Sequence, residues 1–246
     1  MNSDVSSSEA PYMFPHTRWS LVLAARQVWS PESAAALETL CRVYWYPLYT
    51  YVRRRGLSPH DAQDLTQEFF RRLLEKHWLD DVDHAKGRLR TFLLVALKNL
   101  IRKEWRRAAA RRHGGGHVHV PFDTTVAESR YAADGHSLSP EETFDQQWAF
   151  ALLEVTVDRL RAEFATAGKP EDFDTLKPCL MAARGAIDYA AVAKRLAMNE
   201  GAARVAVHRM RRRFRELYRE ELARTLSADA DLEEELRHLA AALGRQ

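Results

Sequence analysis

Apolar residues recur along most of this chain at spacings of three and four, and strand-like alternation is hard to find. That period gathers side chains on one face of a helix, so the pattern predicts an all-α protein. "TRWSLVLAARQVW", residues 17–29, reads as a short amphipathic helix capped by Thr17. Ser30 as N-cap and Pro31 at the first helical position start a second helix, which Gly56 ends. Pro47 lacks an amide donor and clashes one turn back, so it should kink or restart that helix. Ser58, Pro59 and Asp61 form a stronger start signal, a capping box ahead of an apolar stripe of Leu65, Phe69 and Leu73 widened by Phe70 and Leu74. After the polar loop "DDVDHAKGR" comes "LRTFLLVALKNLIRKEWRRAAARR". Its spacing turns Phe92, Leu93, Ala96, Leu97, Leu100 and Trp105 inward and leaves Lys98, Asn99, Arg102, Lys103, Arg106 and Arg107 on the other side.

The period stops after Arg112. Residues 113–140 are rich in Gly, His, Ser and Asp and read as a flexible linker. Ser139, Pro140 and Glu142 then form another capping box, with Gly168 past the end of the helix they start. A helix around "FDTLKPCLM" follows. Asp188 caps a short helix whose Val192, Ala193 and Leu196 face inward, "AMN" makes a tight turn, and Asn199 caps a long one. In that last helix Ala203, Val207, Met210, Phe214 and Leu217 step by four, three, four and three, a single buried stripe. Arg204, His208, Arg211, Arg212 and Arg215 therefore project elsewhere. Short helix, turn and long basic helix is the helix-turn-helix pattern. Position 197 is Ala where such turns favour Gly, and a left-handed backbone there costs about 1 kcal/mol. In the tail, Leu232, Leu236 and Leu239 line up on one more amphipathic helix. The expected organisation is two small helical domains: a disordered N-terminus (1–16), an N-terminal domain (17–112), the linker (113–140), a C-terminal domain with the helix-turn-helix (141–224) and a tail helix (225–246).

Charge sharpens this picture. The 246 residues carry a net charge of only +3, but the basic residues cluster. Six Arg or Lys lie between Arg102 and Arg112 against Glu104 alone, and seven Arg between Arg204 and Arg219 against Glu216 alone. An Arg-rich helix by itself is usually a solvated face; a short helix and tight turn before it shift the reading towards DNA. Cys41 and Cys179 fit no metal-ligand pair and are expected as reduced thiols. The N-terminus lacks the features of a signal peptide, and no apolar run reaches the ~18 residues of a membrane span, so a cytoplasmic protein without membrane insertion is expected.

Chemistry for an enzyme is missing. There is no phosphate-binding glycine loop, nucleophile elbow or dinucleotide fingerprint. His113, His117 and His119 have no Cys or acid spaced to complete a metal site. Asp61, Asp64 and Glu68 share a helical face without a second acidic cluster, which suits a docking surface better than a metal-dependent nuclease. Tyr44, Trp45, Tyr46, Tyr49 and Tyr51, with Trp78 and Trp105, read as core. No cofactor and no metal are expected.

"SPHDAQDLTQEFFRRLLEK" followed by "GRLRTFLLVALKNLIRKEWRRAAARR" resembles the core segment of bacterial sigma factors, and "DYAAVAKRLAMNEGAARVAVHRMRRRFREL" resembles their C-terminal promoter-reading segment. Order and spacing are similar to the extracytoplasmic-function (ECF) subfamily of the sigma-70 family, over roughly residues 36–112 and 142–222. The resemblance implies a non-enzymatic specificity subunit that binds core RNA polymerase and directs it to promoter DNA. It places Asp64, Gln67, Glu68 and Arg71 on the clamp helices of the β′ subunit. It places Arg88, Lys98, Asn99, Arg102, Lys103, Arg106 and Arg107 on the −10 element, with the loop 80–90 where relatives capture an unstacked base. Arg204, Val205, His208 and Arg209 fall at positions facing the −35 element, and Arg211, Arg212 and Arg215 on phosphates. Further implied partners are the β flap and an anti-sigma factor or other regulator. The alternative is a helix-turn-helix transcriptional regulator that acts without being a polymerase subunit. The helices around Trp19 and Leu236 are additions to the family's minimal plan.

Overall fold

The computed structural model describes residues 31–74, 88–110, 125–133, 137–183, 185–226 and 230–245. The helix expected over 17–29, the loop before Arg88, Trp78 and the histidines of "HGGGHVH" lie outside the described residues, as do the side chains of Leu74 and Arg107. Every regular element described is helical: α1 (Pro31–Arg54), α2 (Pro59–Leu74), α3 (Leu89–Ala110), α4 (Thr125–Ala133), α5 (Pro140–Thr166), α6 (Pro170–Leu176) with a 3-10 turn (Lys177–Cys179), α7 (Tyr189–Arg195), α8 (Glu200–Ala223) and α9 (Leu232–Leu243).

The start signals behave as their chemistry requires. Ser139 Oγ accepts the Glu142 amide at 3.2 Å while the Glu142 carboxylate accepts the Ser139 amide at 3.0 Å. Ser58 Oγ likewise accepts the Asp61 amide at 3.1 Å. Asp188, Asn199 and Asp231 each take amides one turn into their helices. Each such cap stabilises its helix by about 1 kcal/mol. At the other end of α5, Gly168 sits at φ 71° so that the Lys169 amide can return to the Phe164 carbonyl at 2.9 Å, the left-handed closure that favours glycine.

Pro47 does not restart α1, which runs unbroken past it. The missing amide removes one rung, but Val43, Tyr44, Leu48 and Tyr51 on either side of the proline are fully or almost fully buried. Burying several such side chains, at about 1.5–3 kcal/mol each, outweighs the ~3 kcal/mol penalty of an interior proline. A second departure lies in the expected linker, where residues 125–133 form α4. Ala127 and Tyr131, one turn apart, are buried, and Glu128 is held at 2.8 Å by Arg53 of α1. Four residues of separation is too short a stretch of pattern to stand out between two glycine-rich and serine-rich flanks.

Two apolar clusters organise the chain. One gathers Tyr44, Leu48 and Val52 of α1, Phe69 and Leu73 of α2, Leu89, Leu93 and Leu97 of α3, and Phe144, Trp148 and Leu152 of α5. Tyr44 stacks on Trp148 with ring centroids 6.0 Å apart. The other gathers Leu160 of α5, Phe173 and Leu176 of α6, Val192 and Ala193 of α7, and the whole expected stripe of α8. Helix α5 serves both, and Leu222 and Leu239 from the C-terminal end of the chain join the first.

Candidate nucleic-acid interface

Burial of Leu89, Leu93, Leu97, Leu100 and Ile101 fixes the rotation of α3. Asn99, Arg102, Lys103 and Arg106 are exposed on its outer side. Lys98 is drawn aside: its ammonium lies 2.8 Å from Glu141 in the first turn of α5, and its hydrogen bond holds the Glu141 carboxyl below the usual carboxylate range. Tyr51, Arg55, Ile101 and Arg102 complete a small polar cleft of about 240 Å³ around this pair.

Trp105 corrects the expectation of a core side chain, being 47% exposed. The buried stripe ends at Ile101; the next inward position is Glu104, half-buried and bound by Arg72 at 3.2 Å. Trp105 therefore turns outward beside Arg102 and Arg106, with the Arg55 guanidinium 5.5 Å above its ring. The basic residues around this ring distinguish it from a core tryptophan; apolarity alone does not.

At the N-terminal end of α3, Arg88 is bound by Glu234 at 3.0 Å and Glu235 at 2.9 Å. Arg90, which the sequence reading passed over, is buried against Glu235 at 2.6 Å and also pairs with Asp145. Its signal was a charge three residues before Leu93, on the inward stripe.

On α2, Asp64, Gln67, Glu68 and Arg71 come together on one partly exposed side. Glu68 receives Arg71 at 2.6 Å and Arg72 at 2.5 Å; the hydrogen bond from Arg71, then that from Arg72, keeps its carboxyl below the usual range. His60 stands 3.8 Å from Asp64. The outcome is a mixed-sign surface tied to α3 through Arg72.

Helices α7 and α8 are joined by residues 196–199, where Ala197 takes φ 50°. The Met198 amide then reaches the Ala193 carbonyl at 3.0 Å, closing α7 by the route glycine usually serves. Buried Ala203, Val207, Met210, Phe214 and Leu217 leave Arg204, Val205, His208, Arg209, Arg212 and Arg215 exposed. Arg204 lies 4.2 Å over the Tyr189 ring and 3.7 Å from Glu200. Arg211, expected on phosphates, has its guanidinium donating to the Cys179 carbonyl at 2.8 and 2.6 Å and to that of Ala182 at 2.6 Å. The chain leaving the 3-10 turn carries these carbonyls against α8, and Arg211 is the side chain that reaches them. Arg213, not singled out from the sequence, binds Glu163 of α5 at 2.7 Å. Between α5, α6 and the start of α8 runs an apolar groove of about 620 Å³, lined by Leu160, Phe164, Leu196, Met198 and Val205, with Arg209 at its rim.

Among the described residues no group of His, Cys, Asp and Glu could hold a metal ion, and no helix is long and apolar enough to cross a membrane. No curated protein and no solved structure gives a significant match to the chain. Residues 44–111, from the middle of α1 through α3, match the family Sigma-70 region 2. That match covers the mixed-charge side of α2 and the basic outer side of α3, and it supports a sigma-70 family sigma factor, a kind of protein that binds RNA polymerase and recognises the −10 promoter element.

Proposed function

We propose that this protein is an ECF-type sigma factor that carries core RNA polymerase to promoters with both −10 and −35 elements and aids their melting. The observation that carries the reading is the coincidence of the region 2 match with an outward basic side of α3. Arg102, Lys103 and Arg106 hold phosphates there, and Asn99 offers an amide to a base edge. The polar surface of Asp64, Gln67, Glu68 and Arg71 docks on the β′ clamp helices, where mixed charge suits a protein partner better than a phosphate backbone.

Helices α7 and α8 form a helix-turn-helix for the −35 element. Arg204 and His208 face base edges, Val205 and Arg209 flank them, and Arg212 and Arg215 hold phosphates. The apolar groove beside Val205 takes the β flap. Two weak DNA contacts joined in one chain gain avidity only when both elements are correctly spaced, so the free protein binds DNA weakly and depends on polymerase to orient both parts. An anti-sigma factor or other regulator completes the partner set.

Transcription reconstituted from purified core polymerase, promoter DNA and this protein tests the reading. A transcript that requires all three is expected. Retardation of a specific duplex by the protein alone, with no transcript, would establish instead a helix-turn-helix regulator that works outside the polymerase.

A further inference from the structure

The tail helix α9 is joined to the N-terminal end of α3 by a chain of charges. Glu235 is completely buried, yet its carboxylate is met by Arg90 at 2.6 Å and Arg88 at 2.9 Å. Glu234, one residue earlier, takes Arg88 at 3.0 Å. Asp145 of α5 binds Arg90 and receives His238 of α9 at 3.0 Å. The Leu89 amide donates to the Thr225 carbonyl at 3.1 Å, just past the end of α8. At the far end of α9, Arg245 pairs with Glu142 at 3.0 Å. Helix α9 thus holds α3 and α5 together.

Two observations say what this arrangement is for. A helix that only covered apolar surface would not bury a carboxylate, whose desolvation is offset only by well-placed partners. Moreover, one of those partners is Arg88, a cation that the family resemblance places on the −10 element. The first turn of α9 is acidic throughout, with Glu233, Glu234 and Glu235. Glu233 turns to Arg219 of α8, while Glu234 and Glu235 set their carboxylates against Arg88, as a phosphate backbone would on the reading of α3 as a DNA-binding helix.

We propose that α9 is an acidic clamp that occupies the DNA-binding surface at the N-terminal end of α3 in the free protein, and that it must leave Arg88 before this end of α3 engages promoter DNA. The proposal rests on the reading of α3 as a DNA-binding helix. Because the clamp belongs to the same chain, it competes at high effective concentration. Its outer pair is exposed, with Glu234 60% accessible, and a pair of that kind is individually weak. The clamp is therefore strong against stray DNA and displaceable by DNA that polymerase already holds.

The test uses the full chain and a fluorescein-labelled, mixed-sequence single-stranded DNA oligonucleotide. Affinity is read by anisotropy across a salt series, and hydrogen exchange is followed at residues 89–93. The variants are Glu234→Gln, at an exposed site, and the double change Glu234→Gln with Glu235→Gln. We expect about fivefold tighter binding or more from the double variant, a steeper salt dependence as Arg88 gains a phosphate, and faster exchange at residues 89–93. If the double variant does not fold, Glu234→Gln alone, which leaves Arg88 only one of its two carboxylates, must still tighten binding measurably; unchanged affinity overturns the clamp. Faster exchange without tighter binding overturns the clamp, leaving α9 a structural brace. Arg88→Ala in both backgrounds separates the two ideas. No loss in either means that Arg88 does not meet DNA, and the clamp falls with that assignment. An equal loss in both, with nothing gained on opening, keeps the DNA assignment and overturns the clamp.

Discussion

Arg211 donates to the carbonyl oxygen of Cys179 from both Nε and Nη2, at 2.8 and 2.6 Å. Its neighbour Arg212 is 72% exposed and, among the described residues, meets Glu216, one turn on. Adjacent arginines of one basic helix therefore have different tasks. Arg211→Ala leaves the carbonyls of Cys179 and Ala182 without their donors, and hydrogen bonds from a charged group are worth about 1.5–3 kcal/mol each. With partial compensation by water, the expected loss of stability is about 2 kcal/mol, read from urea unfolding. Arg212→Ala should change stability by less than about 0.5 kcal/mol and instead lower the salt dependence of DNA binding by roughly one phosphate contact.

The turn between α7 and α8 stores strain that a glycine would relieve. Ala197 holds φ 50°, and an L-residue with a side chain there sits about 1–2 kcal/mol above its right-handed alternative. Glycine removes that strain but adds freedom to the unfolded chain. The expected net effect of Ala197→Gly is a gain of about 0.5–1 kcal/mol, visible as a raised Tm, with promoter binding unchanged because the path of the chain is already the one glycine prefers.

Arg213 and Glu163 brace α8 against α5, and their pair gives a signed pH dependence. The hydrogen bond from Arg213 holds the Glu163 carboxyl below the usual carboxylate range. A depressed folded-state value means that the contribution is present above the unfolded value of about 4.3 and is lost as pH falls through the folded one. Other carboxylates titrate in the same window, so the informative quantity is the stability difference between the native protein and Glu163→Gln. That difference should be constant from neutral pH down to about pH 5 and shrink towards zero below. It should also diminish with added salt, since both partners are more than a third exposed.

These contrasts show where the sequence was legible. The stripe of α8, the caps at Ser58, Ser139, Asp188 and Asn199, and the left-handed Ala197 follow from local chemistry and spacing, and each stands where that chemistry puts it. What spacing could not supply was the partner across the fold. Lys98, Arg88 and Arg211 lie outside the buried stripes of their helices, yet Glu141, Glu235 and the Cys179 carbonyl claim them from segments 32 to 147 residues away in sequence. Periodicity says which side of a helix is wet, but not which acid or carbonyl waits there. Trp105 failed for the opposite reason: its apolarity suggested burial, while the apolar partners along α3 end one turn before it.

Trp105 also carries the most direct test of the basic side of α3. Its ring is 47% exposed and capped on one face by Arg55 at 5.5 Å, so it contributes little to the core. Trp105→Ala should therefore shift unfolding by less than about 1 kcal/mol, the size of an exposed cation–π contact. If this side of α3 receives separated DNA strands, the ring is a stacking platform, and base–aromatic stacking is worth about 1–3 kcal/mol per base. The expected result is a five- to hundredfold loss of affinity for single-stranded DNA, with duplex binding through α8 unaffected. Trp105→Phe should recover most of it, because a ring is retained while the indole nitrogen is not. Equal affinity across all three proteins would show that DNA does not pass over this part of α3, and would leave Arg102, Lys103 and Arg106 as a solvated surface.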